Sequence, residues 1–195
     1  MIYKVYGHVL SRTFRVLWML EELGVPYEHF PTPPHSGEVL ALSKAGKVPV
    51  FVEGEAVLTD STAILTYLAD KHGQLTFPAG TLDRARQDAL THAILDEVEA
   101  PLWLATRHAK LLPDERRVPQ VLPALQEDFS AGVGRIADGF AGPYLTGDRM
   151  TVADIILTHC LNWAYSAKFV HDQENLLEYA KAMRGREAFK RAAAK

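Results

Sequence analysis

Strand-forming sequence ends early in this chain. Runs rich in β-branched and aromatic residues stand at Tyr3–Tyr6, Pro26–Phe30, Val50–Val52 and Ala56–Leu58, and from Leu82 onward no convincing run recurs. A chain that spends all its strands before residue 60 cannot build one sheet along its whole length. It is expected to fold as a small α/β half followed by an all-α half.

The first half reads as β-α-β-α-β-β-α. Ser11 opens a helical pattern in which Phe14, Leu17, Trp18 and Glu21 recur at helical spacing. Gly24 and Pro26 stop it, a glycine just past the helix end followed by proline. Pro31, Pro33, Pro34 and Gly37 mark a loop, and Glu38–Leu42 holds a short helix. Glu53-Gly54-Glu55 turns a hairpin, and Asp60 and Ser61 begin a helix that ends near His72 at Gly73. Strand–helix–strand units require parallel pairing, while the hairpin adds an antiparallel pair. The expected domains are 1–76 and 82–195, joined by a linker at 77–81 that contains Pro78 and Gly80. Beyond the linker, helices are expected at Leu82–Lys110 (bent or interrupted at Pro101), Pro119–Asp138, Thr151–Ala167 and Gln173–Ala194.

Charge and cysteine content narrow the function. Acidic residues outnumber basic ones by 24 to 21 among 195, so no basic excess draws nucleic acid or an anionic membrane. The one cysteine, Cys160, can form neither an internal disulfide nor a CxxC pair nor a multi-cysteine zinc site. Eight histidines show no pattern such as HExxH, so no metal is expected. The first residues lack the apolar core of a signal peptide, and no apolar run nears the ~20 residues of a membrane span. The expected compartment is the cytoplasm.

Four motifs carry chemistry. In Lys47-Val48-Pro49-Val50 a proline enters a strand, which places it at an edge or a strand start. A cis bond there would turn the Val48 backbone outward to grip an extended peptide. Only about 5–6% of X–Pro bonds are cis, and the residues alone favour trans. In Thr59-Asp60-Ser61-Thr62 a capping residue precedes an apolar helix. The same helix end can hold a carboxylate while Asp60 receives an ammonium, a receptor for an amino-acid zwitterion. Ser11-Arg12-Thr13-Phe14-Arg15 puts a hydroxyl at another helix start, as a cap or as a donor to an anion above it. Finally, Thr151 and Asp154 have capping-box spacing, with Met150 and Ile155 at staple positions; this reads as a folding device.

In this order and spacing the four motifs resemble the cytosolic glutathione transferase family of the bacterial, serine-type kind, across residues 3 to 190. The resemblance implies a thioredoxin-like N-terminal domain that binds glutathione as co-substrate. An all-helical C-terminal domain would contribute the site for a small, largely apolar electrophile. It also implies a homodimer, a role in detoxification, and no nucleic-acid or membrane partner. It makes the Val48–Pro49 bond cis, with the Val48 backbone pairing with the cysteinyl part of glutathione. Lys47 would contact the glycyl carboxylate, Arg12 would help bind the tripeptide, and Asp60 and Ser61 would hold the γ-glutamyl group. Ser11 would face the sulfur, with Tyr6 as the alternative. Asp154 would cap a helix for folding, and Cys160 would be a buried structural thiol.

Leu10, Trp103, Arg107 and Leu111 are the expected electrophile contacts, and Trp163 or Tyr165 would close that site. Asp96 is a candidate to reach a dimer partner's glutathione. His35 lies near a family histidine position but about one residue out of register. Conjugation leads. A glutathione-dependent peroxidase, lyase or dehalogenase, or a non-catalytic interaction protein, stays open as an alternative.

Overall fold

A computed structural model describes residues 2–195. Their contacts divide them into two compact units, one built from the residues up to Ala79 together with Met183–Lys195, the other from Gly80–Ala182.

The first unit holds a four-stranded sheet in the order β2-β1-β3-β4, with β1 at Tyr3–Tyr6, β2 at Tyr27–Phe30, β3 at Val50–Glu53 and β4 at Ala56–Thr59. β1 pairs parallel with β2 and antiparallel with β3, and β3 closes the hairpin with β4. The parallel pair follows from the crossover helix α1, Thr13–Leu23, and the antiparallel pair from the short turn at Gly54. Helices α2, Gly37–Leu42, and α3, Ser61–His72, complete the α/β arrangement, so the thioredoxin-like half is as expected. The helix expected to open at Ser11 begins two residues later, at Thr13. A turn precedes it, in which the Ser11 N–H donates to the His8 carbonyl at 3.0 Å.

α1 is buried at every position from Thr13 to Leu20. A helix that only leaned on a sheet would bury one stripe. Here a second surface covers the other side. The terminal helix α9, Glu187–Ala193, lays Phe189 edge-on against Phe14 and Trp18, with ring centroids 4.9 and 5.0 Å apart. The expected helix Gln173–Ala194 is therefore two. α8, Glu174–Arg184, ends before Gly185, and the segment from Met183 joins the first unit instead of remaining in the helical half. Trp18 and Phe14 supply the apolar surface that draws it there. Two acids at the end of α1 lock it. Arg186 grips Glu22 with two hydrogen bonds, 2.7 and 2.8 Å, while Arg191 and Tyr27 both donate to Glu21 at 2.7 Å.

The second unit is helical. Thr81 caps α4, Leu82–Ala93, by accepting from the Arg84 N–H. The helix runs on through a π-helical turn at Ile94–Glu99 into α5, Ala100–Thr106, and a second π-helical turn at Arg107–Leu111. The wider turn absorbs Pro101, which has no N–H to give to the preceding turn, so the expected bend or interruption takes the form of a local bulge. α6, Leu122–Asp138, approaches at that bulge, because a Cβ on Gly132 would overlap the Glu97 carbonyl. α7, Val152–Ala167, is buried along most of its length. Its start carries the expected capping box, with the Thr151 N–H donating to Asp154 at 2.7 Å. Leu145 N–H and Tyr179 O–H also donate to Asp154, both at 2.9 Å. Burial pushes the Asp154 carboxyl up from its ordinary range, and these donors oppose the shift.

Burial pushes the Glu21 carboxyl up too, but hydrogen bonds from Arg191 and Tyr27 and the nearby Lys195 outweigh it and hold the group below its usual range. A carboxyl lowered by folding stabilises the fold above the ordinary value near 4.3 and loses that contribution as pH falls through its folded value. Glu21→Gln is expected to cost about 1–2 kcal/mol at pH 7. Thermal unfolding from pH 7 to 3 should show the gap from wild type closing below about pH 4.

Candidate functional site

The loop after β1 is the pivot of the first unit. Gly7 has φ +134, and a Cβ there would overlap the Thr13 hydroxyl and lie 2.8 Å from Val48 Cβ. The end of β1, the start of α1 and the residue before Pro49 thus meet at one glycine, the only residue that fits. His29 Nε2 bonds the Gly7 carbonyl at 2.8 Å, which fixes the loop from β2. The Val48–Pro49 bond is cis. Pro49 is buried, Val48 half-buried and Lys47 exposed. Just before them, His35 donates its N–H to the Gly46 carbonyl at 2.7 Å, which pins the loop ahead of α2 beside this turn.

Ser11 is half-buried at the start of α1. Its Oγ accepts the Thr13 N–H at 3.1 Å, and lies 2.7 Å from the His8 carbonyl and 2.9 Å from Thr13 Oγ1, to either of which it can donate. Arg12 occupies the cap position without capping through its side chain. Tyr6, the alternative to Ser11, stacks its ring on Phe30 with centroids 4.7 Å apart. Leu10, beside Ser11, is 90% exposed.

Asp60 caps α3. Its carboxylate accepts the Ala63 N–H at 3.0 Å, and its backbone holds φ +70. That leaves its second oxygen and the first N–H groups of the helix at the open end. Ser61 is buried directly behind. The residue that contacts it was not among those expected. Arg15, fully buried in α1, donates through Nη1 to Ser61 Oγ at 3.3 Å. The spacing of Arg15 in an apolar helix hinted at an interior charge, but nothing local pointed to Ser61.

The expected electrophile residues of the second unit lie along one helical path. Trp103 is half-buried and meets Trp163 edge-on, with centroids 6.4 Å apart. The Trp163 indole N–H donates to Thr106 Oγ1 at 3.1 Å. Arg107 is half-buried, whereas Leu111 and Tyr165 are exposed. Asp96 is exposed in the first π-helical turn. Cys160 is buried, with its Sγ 3.9 Å from Glu99 Oε2. Among the described residues no group of three or more His, Cys, Asp and Glu is gathered as a metal site requires. Among the described residues no helix is long and apolar enough to cross a membrane.

Family models for the glutathione S-transferase N-terminal domain and C-terminal domain match residues 6–76 and 85–187. The chain belongs to the glutathione S-transferase family. A zeta-class glutathione S-transferase of Euphorbia esula is 32% identical over 164 residues, covering 79% of this chain and 72% of the relative. Glutathione S-transferase 4 of Zea mays is 30% identical over 184 residues, covering 86% and 81%. The fold is also that of the theta-class glutathione S-transferase from Xanthomonas axonopodis pv. citri, solved with glutathione bound. That match has a TM-score of 0.83 at 22% identity and covers 99% and 97% of the two chains. The protein is thus a transferase of this family.

The glycine pivot is open to direct test. Gly7→Ala must push Thr13 and Val48 aside and adopt a positive φ that an L side chain resists. The expected loss is about 2–4 kcal/mol, read as a lowered urea midpoint with an unchanged slope.

Proposed function

We propose that the protein conjugates glutathione to a small, largely apolar electrophile. In this reading the nucleophile is the ligand's own sulfur, and the protein's task is to hold it as a thiolate. The tripeptide extends along the Val48 backbone. Lys47 takes its glycyl carboxylate and Arg12 assists binding. The γ-glutamyl ammonium goes to Asp60 and its carboxylate to Ser61 at the α3 N-terminus. Trp103, Arg107 and Leu111 on the helical unit are the proposed contacts of the electrophile. We also read the protein as a cytoplasmic homodimer, as the family implies.

The observation that carries the reading is the hydrogen-bond state of Ser11. The Thr13 N–H occupies one lone pair of Oγ, which polarises the hydroxyl and leaves its hydrogen to rotate from the His8 carbonyl toward a sulfur. A thiol with pKa about 8.5 is only a few per cent ionised at pH 7. Lowering it by about two units takes roughly 2.7 kcal/mol. A hydrogen bond to a charged group supplies about 1.5–3 kcal/mol, and a helix N-terminus about 0.3–1. Ser11 and α1 together meet that requirement and raise the thiolate fraction about 25-fold. The rest of the rate comes from holding thiolate and electrophile in one orientation.

Ser11→Ala is expected to lower kcat/KM for a chromogenic aryl halide about 10–100-fold, consistent with about 1.5–3 kcal/mol. Circular dichroism should be unchanged. Wild-type turnover in that variant would shift the role to Tyr6 or Arg12. Retention of the native protein on immobilised glutathione, with no turnover across electrophiles and peroxides, would instead mark an interaction protein.

A further inference from the structure

The most unusual charge in the molecule lies outside the residues just assigned. Among the described residues, Arg15 is the only buried lysine or arginine, at 0% exposure within the core of the first unit. Removing an arginine from water is costly, and apolar side chains of similar volume often serve packing as well or better. One group it meets there is Ser61 Oγ, 3.3 Å from Nη1 and itself only 2% exposed.

We infer that Arg15 is a positioning residue for the γ-glutamyl end of glutathione, acting through Ser61; the inference rests on the glutathione reading above. A guanidinium can only donate. With Arg15 occupying a lone pair of the Ser61 oxygen, the Ser61 hydrogen is directed to an acceptor on another side of that oxygen. A serine without this neighbour can present either its hydrogen or a lone pair. A ligand carboxylate needs the hydrogen and is repelled by the lone pair. Arg15 therefore makes Ser61 a donor before the ligand arrives and polarises the hydroxyl as it does so.

The rest of the helix end fits this division of labour. Asp60 gives one oxygen to the Ala63 N–H, and its second oxygen remains for an ammonium. Ser61, one residue on, is then the donor for the neighbouring carboxylate. Arg15 belongs to the helix that the Ser11 turn leads into, so one helix sets both the sulfur end and the γ-glutamyl end of the ligand.

Calorimetric titration with glutathione, and with a glutathione analogue lacking the γ-glutamyl α-carboxylate, tests this without requiring turnover. Arg15→Met should weaken glutathione binding about tenfold, the factor that 1.4 kcal/mol represents, while leaving the analogue's affinity unchanged. In a Ser61→Ala background the same substitution should add no further loss, because the two residues act as one unit. Steady-state kinetics should show a raised KM for glutathione, with kcat at saturation and its pH profile unchanged. If Arg15→Met does not fold, Arg15→Lys carries the test, with an expected threefold loss of the same selectivity.

Equal weakening of both ligands, or full additivity with Ser61→Ala, would reduce Arg15 to a structural tie and overturn the inference alone. Wild-type protein that binds neither ligand would overturn the glutathione reading and this inference with it.

Discussion

Burial of α1 on two sides is the constraint on which the first unit depends. From Thr13 to Leu20 no position of that helix faces water, so each of its flanks must be met by something. The sheet meets one flank, and Phe189 of α9 meets Trp18 and Phe14 on another. Because α1 is held so tightly, the turn before it is held too. That turn carries Ser11, and the helix's own Thr13 and Arg15 reach Gly7 and Ser61. The geometry of the proposed site is therefore a consequence of core packing more than of the loops that display it. A loop alone would not hold a hydroxyl within the few tenths of an ångström that a short hydrogen bond to sulfur demands.

The interior charges divide by what surrounds them. Glu21 and Glu22 sit at the C-terminal end of α1, where water still reaches their arginine partners, so the pairs tie α9 down at low desolvation cost. Arg15 and Asp154 are fully buried, and a charge there must be met by hydrogen-bonding partners. Asp154 gathers donors from Thr151, Leu145 and Tyr179, which fixes the start of α7 inside the helical unit. Arg15 faces a hydroxyl at the edge of a proposed ligand site. The first arrangement has the character of a folding device. The second leaves a hydrogen available to a ligand.

Much of this was legible along the chain. The four strands, the stop signals at Gly24 and Gly73, and the capping box at Thr151 and Asp154 all follow from local rules, and the structure has them within a residue or two. The misjudged places share a cause. The helix placed at Ser11 begins at Thr13 because a turn held by the His8 carbonyl competes for the first residues. The bend or interruption placed at Pro101 takes the form of a π-helical bulge, where α6 packs its Gly132 against the Glu97 carbonyl. The single terminal helix is two because its far end packs Phe189 on Phe14 and Trp18 of the first unit.

By itself the sequence determined the order of elements, where helices start and stop, and which residue types stand at the Val48–Pro49 turn and the Asp60–Ser61 helix end. Each of these depends on backbone preferences and side-chain periods that act over a few residues. Only the tertiary structure decided that Arg15 meets Ser61 across 46 residues of sequence, and that Arg186 meets Glu22 across 164. Periodicity reports that a residue is buried, but not what it is buried against. For an apolar side chain that difference matters little, since any apolar neighbour will serve. For a buried cation it is decisive, because a guanidinium in the core is tolerable only opposite a particular acceptor, and the return path of the chain chooses which one.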